Sequence, residues 1–403
     1  MSDDRLEHLQ EVGRLLWPAP LEVDVTTTRG RPAAGTVQRE YLLLPDARRP
    51  RLLVPPGRRV AAGAVRRYGV GRGRGARWRA AGLAAGLASG LAPFLLRDRV
   101  RVLGAAGAPS IETHLSEVLG TEVLVSLYLG APRANRKPVL QVLSPAGRTV
   151  AWVKVGVDPL TSRLVGDEAA ALAALATARL RHATVPSVLH SGAWNGLELL
   201  VQSPLPVDPR RGRPDWQCVV AAQSEVAAIG SGAAGPLGAS SYWADLTARI
   251  ERLPEGPAAD TLGRLAGRFA DAHGDVPVTL GAWHGDWTPW NTAADHESLL
   301  VWDWERFAPS VPTGYDALHW RLQSDLVNQL SDPADSAARC VATAGRALTP
   351  FGLDPRQARA TAVGYLTELA TRYVADRQAE AGARLGDVGA WLLPAVDDAL
   401  ATR

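Results

Sequence analysis

The run His284-Gly285-Asp286-Trp287-Thr288-Pro289-Trp290-Asn291 is followed, after a short stretch, by Val301-Trp302-Asp303-Trp304-Glu305. The two segments together carry three carboxylates and one carboxamide. A loop followed by a strand can direct such side chains toward one point. There they suit the binding of a divalent metal on a nucleotide phosphate and the positioning of a substrate hydroxyl.

The spacing of these groups is that of a known arrangement. His-x-Asp, then Asn five residues later, then Asp a dozen residues further on, is typical of the catalytic and metal-binding groups of kinases. With Gly285 inside it and Asp303-x-Glu305 after it, the run resembles the aminoglycoside phosphotransferase and choline kinase superfamily. The resemblance covers about residues 115–403. It implies an α+β, protein-kinase-like bilobal fold with a small β-rich N-lobe and a large helical C-lobe.

The resemblance assigns roles to the polar residues of the run. Asp286, His284 and Asn291 are the candidate catalytic residues, with Asp286 as the base and His284 expected to support the loop. Asn291 and Asp303 are the expected metal ligands. The Asp-x-Glu ending is closer to choline-kinase-like members and adds Glu305, for which a surface salt bridge is the alternative. A capping role is the alternative for Asp286, but its register with the other groups favours catalysis.

Residues 299–305 are expected to form one buried strand. With a period of two, Asp303 and Glu305 would share a face and emerge together at its end. Asp316, which opens the next predicted helix, is suggested by the resemblance to brace the catalytic loop. An ordinary acid at a helix N-terminus is equally consistent with its position.

A cation for the nucleotide phosphates is expected at Lys154, in the middle of an apolar strand where a lysine is costly unless paired. The resemblance pairs it with Glu168, at the start of the next helix; an edge-strand lysine facing water is the alternative. Gln202 and Ser203 are further candidate nucleotide-binding residues. The expected cofactors are ATP or GTP with Mg²⁺. Trp152 stands where protein kinases keep a small alanine, so the choice of nucleotide stays open.

The chain departs from protein kinases in two further ways. Residues 130–137 contain no Gly-x-Gly-x-x-Gly motif, although Arg133, Arg136 and Lys137 could supply positive charge there. Trp304 follows the metal-binding aspartate, which excludes an ordinary protein kinase activation segment. The acceptor is therefore expected to be a small molecule with a hydroxyl group.

Tryptophans are concentrated around the motif. Trp287 and Trp290 are the candidate substrate contacts, by stacking or cation–π interaction. Core packing beneath the catalytic loop is the favoured interpretation for Trp302 and at least two others of the set Trp283, Trp287, Trp290, Trp302 and Trp304.

Composition places the chain among ordinary globular proteins, with 403 residues, 46% hydrophobic and 21% charged. Two cysteines without metal-ligand spacing, and an acidic start unlike a signal peptide, favour a cytoplasmic setting. Of 44 basic residues, only Lys137 and Lys154 are lysines. Residues 48–101 carry fourteen arginines and one acid, so the rest of the chain is acidic, which leans weakly toward a cationic acceptor.

Three regions are predicted: a basic mixed α/β accessory region at 1–114, a kinase-like N-lobe at 115–203 and a helical C-lobe at 204–403. Residues 71–79 are expected to form a loop. The uncharged segment 80–96 contains many glycines, which favours a packed or surface helix over a membrane span.

The favoured hypothesis is a Mg²⁺-dependent phosphotransferase that moves the γ-phosphate of a nucleotide to a small-molecule hydroxyl. The alternative is a nucleotide-binding pseudokinase or regulatory protein whose basic N-terminal region binds an anionic partner. Solvated surface is the favoured interpretation of that basic region, and nucleic acid is not an expected partner. The identity of the acceptor stays open.

Overall fold

The computed structural model describes residues 3–26, 35–68, 74–90, 96–131, 133–208, 211–296, 298–328 and 332–402. The chain forms two compact units. The first contains residues 1–131, 136–169 and 186–205, and the second contains residues 132–135, 170–185 and 206–403. Residues 71–73 of the predicted 71–79 loop and residues 91–95 of the uncharged segment lie outside the described residues.

Unit 1 is built on a nine-stranded antiparallel sheet in the order β1-β4-β2-β3-β5-β6-β7-β10-β9. The strands are β1 Glu22–Thr26, β2 Val37–Leu44, β3 Leu52–Val54, β4 Arg99–Leu103, β5 Leu124–Tyr128, β6 Val139–Leu143, β7 Thr149–Gly156, β9 Val188–Trp194 and β10 Leu197–Gln202; the short β8 (Ala183–Thr184) belongs to unit 2. Alternate residues face opposite sides. In β2, Tyr41 and Leu43 join one apolar core, while Leu42 and Leu44 join a second core on the other face.

Helices cover both faces of this sheet. They are α1 Asp3–Leu16, α2 Arg58–Tyr68, α3 Arg74–Ser89, α4 Ile111–Leu119 and α5 Pro159–Thr177, which continues into unit 2. Helices α1 and α4 pack into the core of Tyr41, whereas α2 and α3 pack into the core of Leu42. Sequence patterns did not identify α2, α4, β4 or β9, which are short elements stabilised by this packing.

The N-terminal strands belong to the same sheet as the predicted N-lobe strands, because Leu52 and Leu53 of β3 pair with Tyr128 and Leu127 of β5. The three-region division stays a prediction, but the sheet is continuous across its first boundary. The predicted loop at 71–79 is wrong from Arg74 onward, where α3 begins. No described helix is long and apolar enough to cross a membrane.

Unit 2 is mostly helical. Its helices are α6 Trp216–Ala227, α7 Ser241–Glu251, α8 Pro257–His273, α9 Tyr315–Asn328, α10 Pro333–Ala342, α11 Ala344–Leu348, α12 Pro355–Ala375 and α13 Leu392–Ala401. The short strands are β11 Gly235–Pro236, β12 Pro277–Val278, β13 Leu280–Trp283, β14 Thr292–Ala294, β15 Leu299–Val301 and β16 Ala308–Pro312. Helix α12 is the centre of the core, since almost its whole circumference from Ala360 to Thr371 is buried. A sheet-rich unit and a helix-rich unit confirm the predicted α+β kinase-like fold.

Candidate functional site

The predicted catalytic motif of unit 2 lies in two neighbouring loops, residues 284–291 and 302–307. Strands β14 and β15 pair antiparallel between them, with Thr292 opposite Val301. The pairing continues one residue further, because the N–H of Trp302 donates to the carbonyl oxygen of Asn291 at 3.1 Å. Asn291 and Asp303 are therefore brought together by the hairpin, as the motif spacing predicts.

The first loop is held by Asp316 in the first turn of α9. Its carboxylate accepts the backbone N–H of His284 at 2.8 Å and that of Gly285 at 3.1 Å. Burial raises the pKa of Asp316 to about 7, while these two hydrogen bonds favour the ionised form. Asp316 thus lies at a helix N-terminus and also braces the loop, so both interpretations of its position hold.

His284 is fully buried and links the two loops. Its Nδ1 accepts the N–H of Asp286 at 3.1 Å, and its Nε2 lies 3.1 Å from the carbonyl oxygen of Trp302. The first contact requires an unprotonated Nδ1, so the Nε2–H donates in the second. Burial lowers the pKa of His284 to about 4. The ring is therefore neutral at physiological pH and holds the backbone in place.

Gly285 occupies a position that requires glycine. Its φ of 81° lies in the left-handed region, and a Cβ there would stand 2.3 Å from the carbonyl oxygen of Arg306. Its own carbonyl accepts from Nη1 of Arg372, on α12, at 2.6 Å. The loop is thus packed tightly against the second loop and tied to the core helix.

Asp286 is held on both carboxylate oxygens. Oδ1 lies 3.0 Å from Nε2 of His319, and Oδ2 accepts from Nδ2 of Asn291 at 3.0 Å. His319 is fully buried, and its Nδ1 lies 2.8 Å from the hydroxyl of Tyr365. Burial lowers the pKa of His319, although Asp286 opposes this, so the ring is neutral: Nδ1 accepts from the phenol and Nε2–H donates to the carboxylate.

This arrangement keeps Asp286 ionised. Burial alone would raise the pKa of its carboxyl, but the hydrogen bond from His319 and the other favourable electrostatic interactions, including that with Arg372, together outweigh burial, and the pKa lies below its ordinary value. The Asp286 side chain is still 33% exposed. An ionised carboxylate of fixed orientation can therefore accept a hydrogen bond from a bound hydroxyl group.

The predicted strand over residues 299–305 is wrong beyond Val301, where β15 ends. Asp303 has a φ of 75°, which interrupts the extended backbone and its period of two. The two acids nevertheless lie together, since a carboxylate oxygen of Asp303 and one of Glu305 are within 4.8 Å. The backbone kink, and not strand alternation, brings them together.

Glu305 is not on the surface. It is 5% exposed and accepts from Nδ2 of Asn135 at 2.9 Å. Its neighbour Arg306 forms its ion pair with Asp376 instead. The alternative of a surface salt bridge for Glu305 is therefore wrong.

The polar groups of this loop pair fit a magnesium ion. Asn291 donates to Asp286 through Nδ2. The Oδ1 of Asn291 accepts no hydrogen bond from the described residues. The amide oxygen of Asn291 and the carboxylates of Asp303 and Glu305 are hard oxygen donors, and Mg²⁺ prefers such donors.

In unit 1, Lys154 lies on β7 and Glu168 on α5. The ammonium is 2.7 Å from Oε1 of Glu168, which also accepts from Nε2 of Gln202 at 2.8 Å. Strand β7 lies between β6 and β10, so the edge-strand alternative for Lys154 is wrong. Helix α5 begins at Pro159, so Glu168 lies in its middle and not at its start as predicted.

Ser203 follows β10 immediately. Its hydroxyl oxygen accepts the N–H of Ser187 at 2.8 Å, and its own N–H donates to the carbonyl oxygen of Ser187 at 2.9 Å. The residue is thus fixed at the end of the strand that carries Gln202.

The tryptophans divide by burial. Trp287 and Trp304 have no exposed surface, and their rings pack with His284 at centroid distances of 5.6 and 4.4 Å. Burial contradicts the predicted substrate contact for Trp287. Trp290 is half-buried and stays a predicted substrate contact. Trp302 is also half-buried, so it is less enclosed than core packing requires.

His319, Tyr365 and Arg372 were not identified from the sequence, although all three support the loop. The single local signal was the position of His319 three residues after Asp316, on the same side of a helix. Tyr365 and Arg372 come from α12, whose pattern indicates only a buried helix.

No protein-family model and no curated protein sequence matches the chain. Among solved structures, it is similar to aminoglycoside phosphotransferase APH(4)-Ia in ternary complex with ADP and hygromycin B. The identity is 14% and the TM-score 0.48, and the match covers 73% of this chain and 98% of that chain.

Two other solved structures are similar to the chain. Aminoglycoside phosphotransferase APH(2'')-Ib has an identity of 12% and a TM-score of 0.40, with 72% of this chain and 96% of that chain covered. A protein described as a fructosamine-3-kinase from Haemophilus somnus has an identity of 14% and a TM-score of 0.43, with 72% and 96% covered. The roles of residues in this chain rest on its own geometry.

Substitution Gly285→Ala is expected to destabilise unit 2 by about 3 kcal/mol, because it adds a clash with backbone to the cost of a left-handed φ. Urea unfolding measures this loss. The matched control is Gly352→Ala, since Gly352 has a φ of 76° but a Cβ at that position would meet no atom within 4 Å. It should cost only about 1 kcal/mol. Equal losses in the two variants would contradict the close packing of the loops.

Substitution His319→Ala is expected to raise the pKa of Asp286, because the donor that stabilises the carboxylate is removed. An NMR titration of the Asp286 carboxyl carbon measures this change. Since the folded-state pKa is lowered, ionised Asp286 contributes stability above its unfolded pKa, and this contribution is lost as the pH falls through the folded pKa.

The variant should therefore lose less stability on acidification than the original chain. Tyr365→Phe keeps the ring of His319 and removes only the hydroxyl group that contacts its Nδ1. This variant should change the pKa of Asp286 less than His319→Ala does. An unchanged pKa in His319→Ala would show that the contact does not control ionisation.

Proposed function

We propose that the chain transfers the γ-phosphate of ATP or GTP to a hydroxyl group of a small molecule in the presence of Mg²⁺. The observation that carries this proposal is the state of Asp286, which is ionised, partly exposed and fixed by His319 and Asn291. Phosphoryl transfer depends mainly on positioning and on stabilisation of charge. A rigid carboxylate next to a set of metal ligands meets both needs.

In this proposal Asp286 orients the acceptor. Its carboxylate accepts a hydrogen bond from the acceptor hydroxyl and takes the proton as the oxygen bonds to the γ-phosphorus. The bond from that phosphorus to the bridging oxygen breaks, and the nucleoside diphosphate leaves. Neutral His319 keeps its own proton between Nε2 and the carboxylate, which fixes the direction of the free oxygen lone pairs.

Asn291, Asp303 and Glu305 would hold the metal through Oδ1 of the amide and the two carboxylates. When bound, Mg²⁺ neutralises charge on the phosphate oxygens. Asn291 contacts Asp286 through Nδ2 and would face the metal through Oδ1, so one side chain sets the distance between base and metal.

Lys154 would bind the α- and β-phosphates of the nucleotide. Its ion pair with Glu168, which Gln202 also contacts, fixes the ammonium on β7. Gln202 and Ser203, at the end of β10, are proposed to contact the nucleotide, and Trp290 the acceptor.

Substitution Asp286→Ala is expected to reduce transfer by about 10²- to 10⁴-fold, because the acceptor hydroxyl loses its base. Nucleotide binding should persist. A screen of alcohols for nucleotide consumption measures the first effect, and calorimetry with ATP or GTP measures the second. Asp295→Ala changes another carboxylate of the same segment and should transfer phosphate normally. Full turnover by Asp286→Ala would refute the assignment of the base.

Substitution Asp303→Asn is expected to raise the Mg²⁺ concentration needed for nucleotide binding by about tenfold or more, since a charged ligand becomes neutral. Titration of Mg²⁺ at constant nucleotide measures the effect. Asp271→Asn, an exposed change on α8, should leave the Mg²⁺ requirement as it was. The same requirement in Asp303→Asn would count against a ligand role.

A further inference from the structure

Two cavities of about 340 and 210 Å³ lie in unit 2. They share Trp216, Trp320 and Ser324 as lining residues, so they are adjacent, and together they are called here the tryptophan pocket. Its smaller part is lined by Pro289, three residues after Asp286. The pocket therefore begins at the catalytic loop and has the size of a site for a small molecule.

The walls of the tryptophan pocket combine aromatic rings with a guanidinium group. Trp216 is the first residue of α6, and the guanidinium carbon of Arg321 on α9 lies 5.0 Å from the centroid of its ring. A guanidinium at this distance makes a cation–π contact with the ring. The Nε of Arg321 is buried without a hydrogen-bond partner.

Charge in the tryptophan pocket is positive. Its single carboxylate, Asp325, lies 3.5 Å from Nε of Arg339, which also donates to Ser336. Arg321 forms no ion pair with the residues that the structure describes, and Arg213 adds a third guanidinium at the smaller end. A buried Nε–H without an acceptor is costly, and an incoming anion would satisfy it.

We infer that the tryptophan pocket is the acceptor site and that the acceptor is a planar hydroxylated molecule with an acidic group bound by Arg321. The inference rests on the proposed function and names the substrate class of that site. Rings of Trp216 and Trp320 would stack on the planar part, while the acid fixes the hydroxyl toward Asp286. The charge of this pocket is opposite to what a polycationic acceptor needs, and it outweighs the acidic balance of the rest of the chain.

The experiment compares three probes of equal size, each with a primary alcohol: para-(hydroxymethyl)benzoate, its carboxamide and the corresponding benzylamine. Ligand-detected NMR titration of the full chain without nucleotide measures their dissociation constants. The benzoate should bind about tenfold more tightly than the carboxamide, as expected for charge-assisted hydrogen bonds. The benzylamine should bind most weakly.

Substitutions of arginine test whether Arg321 causes the tighter binding of the benzoate. Arg321→Gln should abolish the advantage of the benzoate, and Arg321→Lys should keep part of it because the charge remains without the planar fork. Arg264→Gln removes one exposed arginine on α8 that does not line the pocket and should leave the advantage intact. Equal or tighter binding of the benzylamine, or an undiminished preference in Arg321→Gln, would overturn the inference.

The results distinguish a failure of the inferred acceptor pocket from a failure of the proposed reaction. Binding is measured without nucleotide, so it does not depend on phosphate transfer. Benzoate binding that depends on Arg321, without phosphate transfer from ATP or GTP to any alcohol, would support the pocket and refute the proposed function. Transfer to alcohols that is insensitive to Arg321 and to the probe charge would support the function and refute the pocket.

Discussion

The two hydrogen bonds of Asp316 to consecutive backbone N–H groups are the constraint on which the loop 284–291 depends. With His284 and Gly285 both fixed by one carboxylate, the chain can turn through the left-handed conformation at Gly285. The turn then directs Asp286 outward. Burial raises the pKa of Asp316, and the two N–H groups favour its charged form, so loop geometry and ionisation are coupled.

Beyond these hydrogen bonds, side chains from the loop and from helix α9 hold Asp286 on its two sides. The loop supplies Asn291, whose Nδ2 contacts Asp286 and whose Oδ1 is proposed to bind the metal. The helix side supplies His319, whose neutral ring is itself oriented by Tyr365. A carboxylate held from both sides loses rotational freedom before any ligand binds, which is the preorganisation that phosphoryl transfer needs.

Unit 1 also holds a charged side chain in a buried position. Lys154 is buried on an interior strand, and a charge there is tolerated because Glu168 pairs with it, while Gln202 donates to the same carboxylate. The sheet that carries Lys154 also includes the four N-terminal strands, since β3 pairs with β5. Residues outside the family resemblance therefore support the strand on which the predicted nucleotide-binding lysine lies.

Local patterns predicted most of the described architecture. The apolar runs at 123–129, 138–143, 150–155 and 197–201, which turn residues separate, predict strands at the positions of β5, β6, β7 and β10. Helical patterns at 216–230, 241–252, 258–272, 314–330, 335–347, 355–376 and 387–401 predict nearly every long helix of unit 2. The short elements α2, α4, β4 and β9 were not predicted, because weak local patterns are stabilised there by distant partners in the sheet and core. Spacing alone also grouped Asp286, Asn291 and Asp303, because a hairpin of that length returns the chain to its starting point.

The sequence by itself determined which chemical groups the loop contains, since residue types and short spacings are local properties. Only the tertiary structure decided that His319, Tyr365 and Arg372 support that loop, because their contacts join positions far apart in the chain. It also decided that Trp287 is buried and that Asp303 leaves the strand, since burial and a positive φ follow from packing. The charge of the tryptophan pocket was set in the same way, by side chains that only folding brings together.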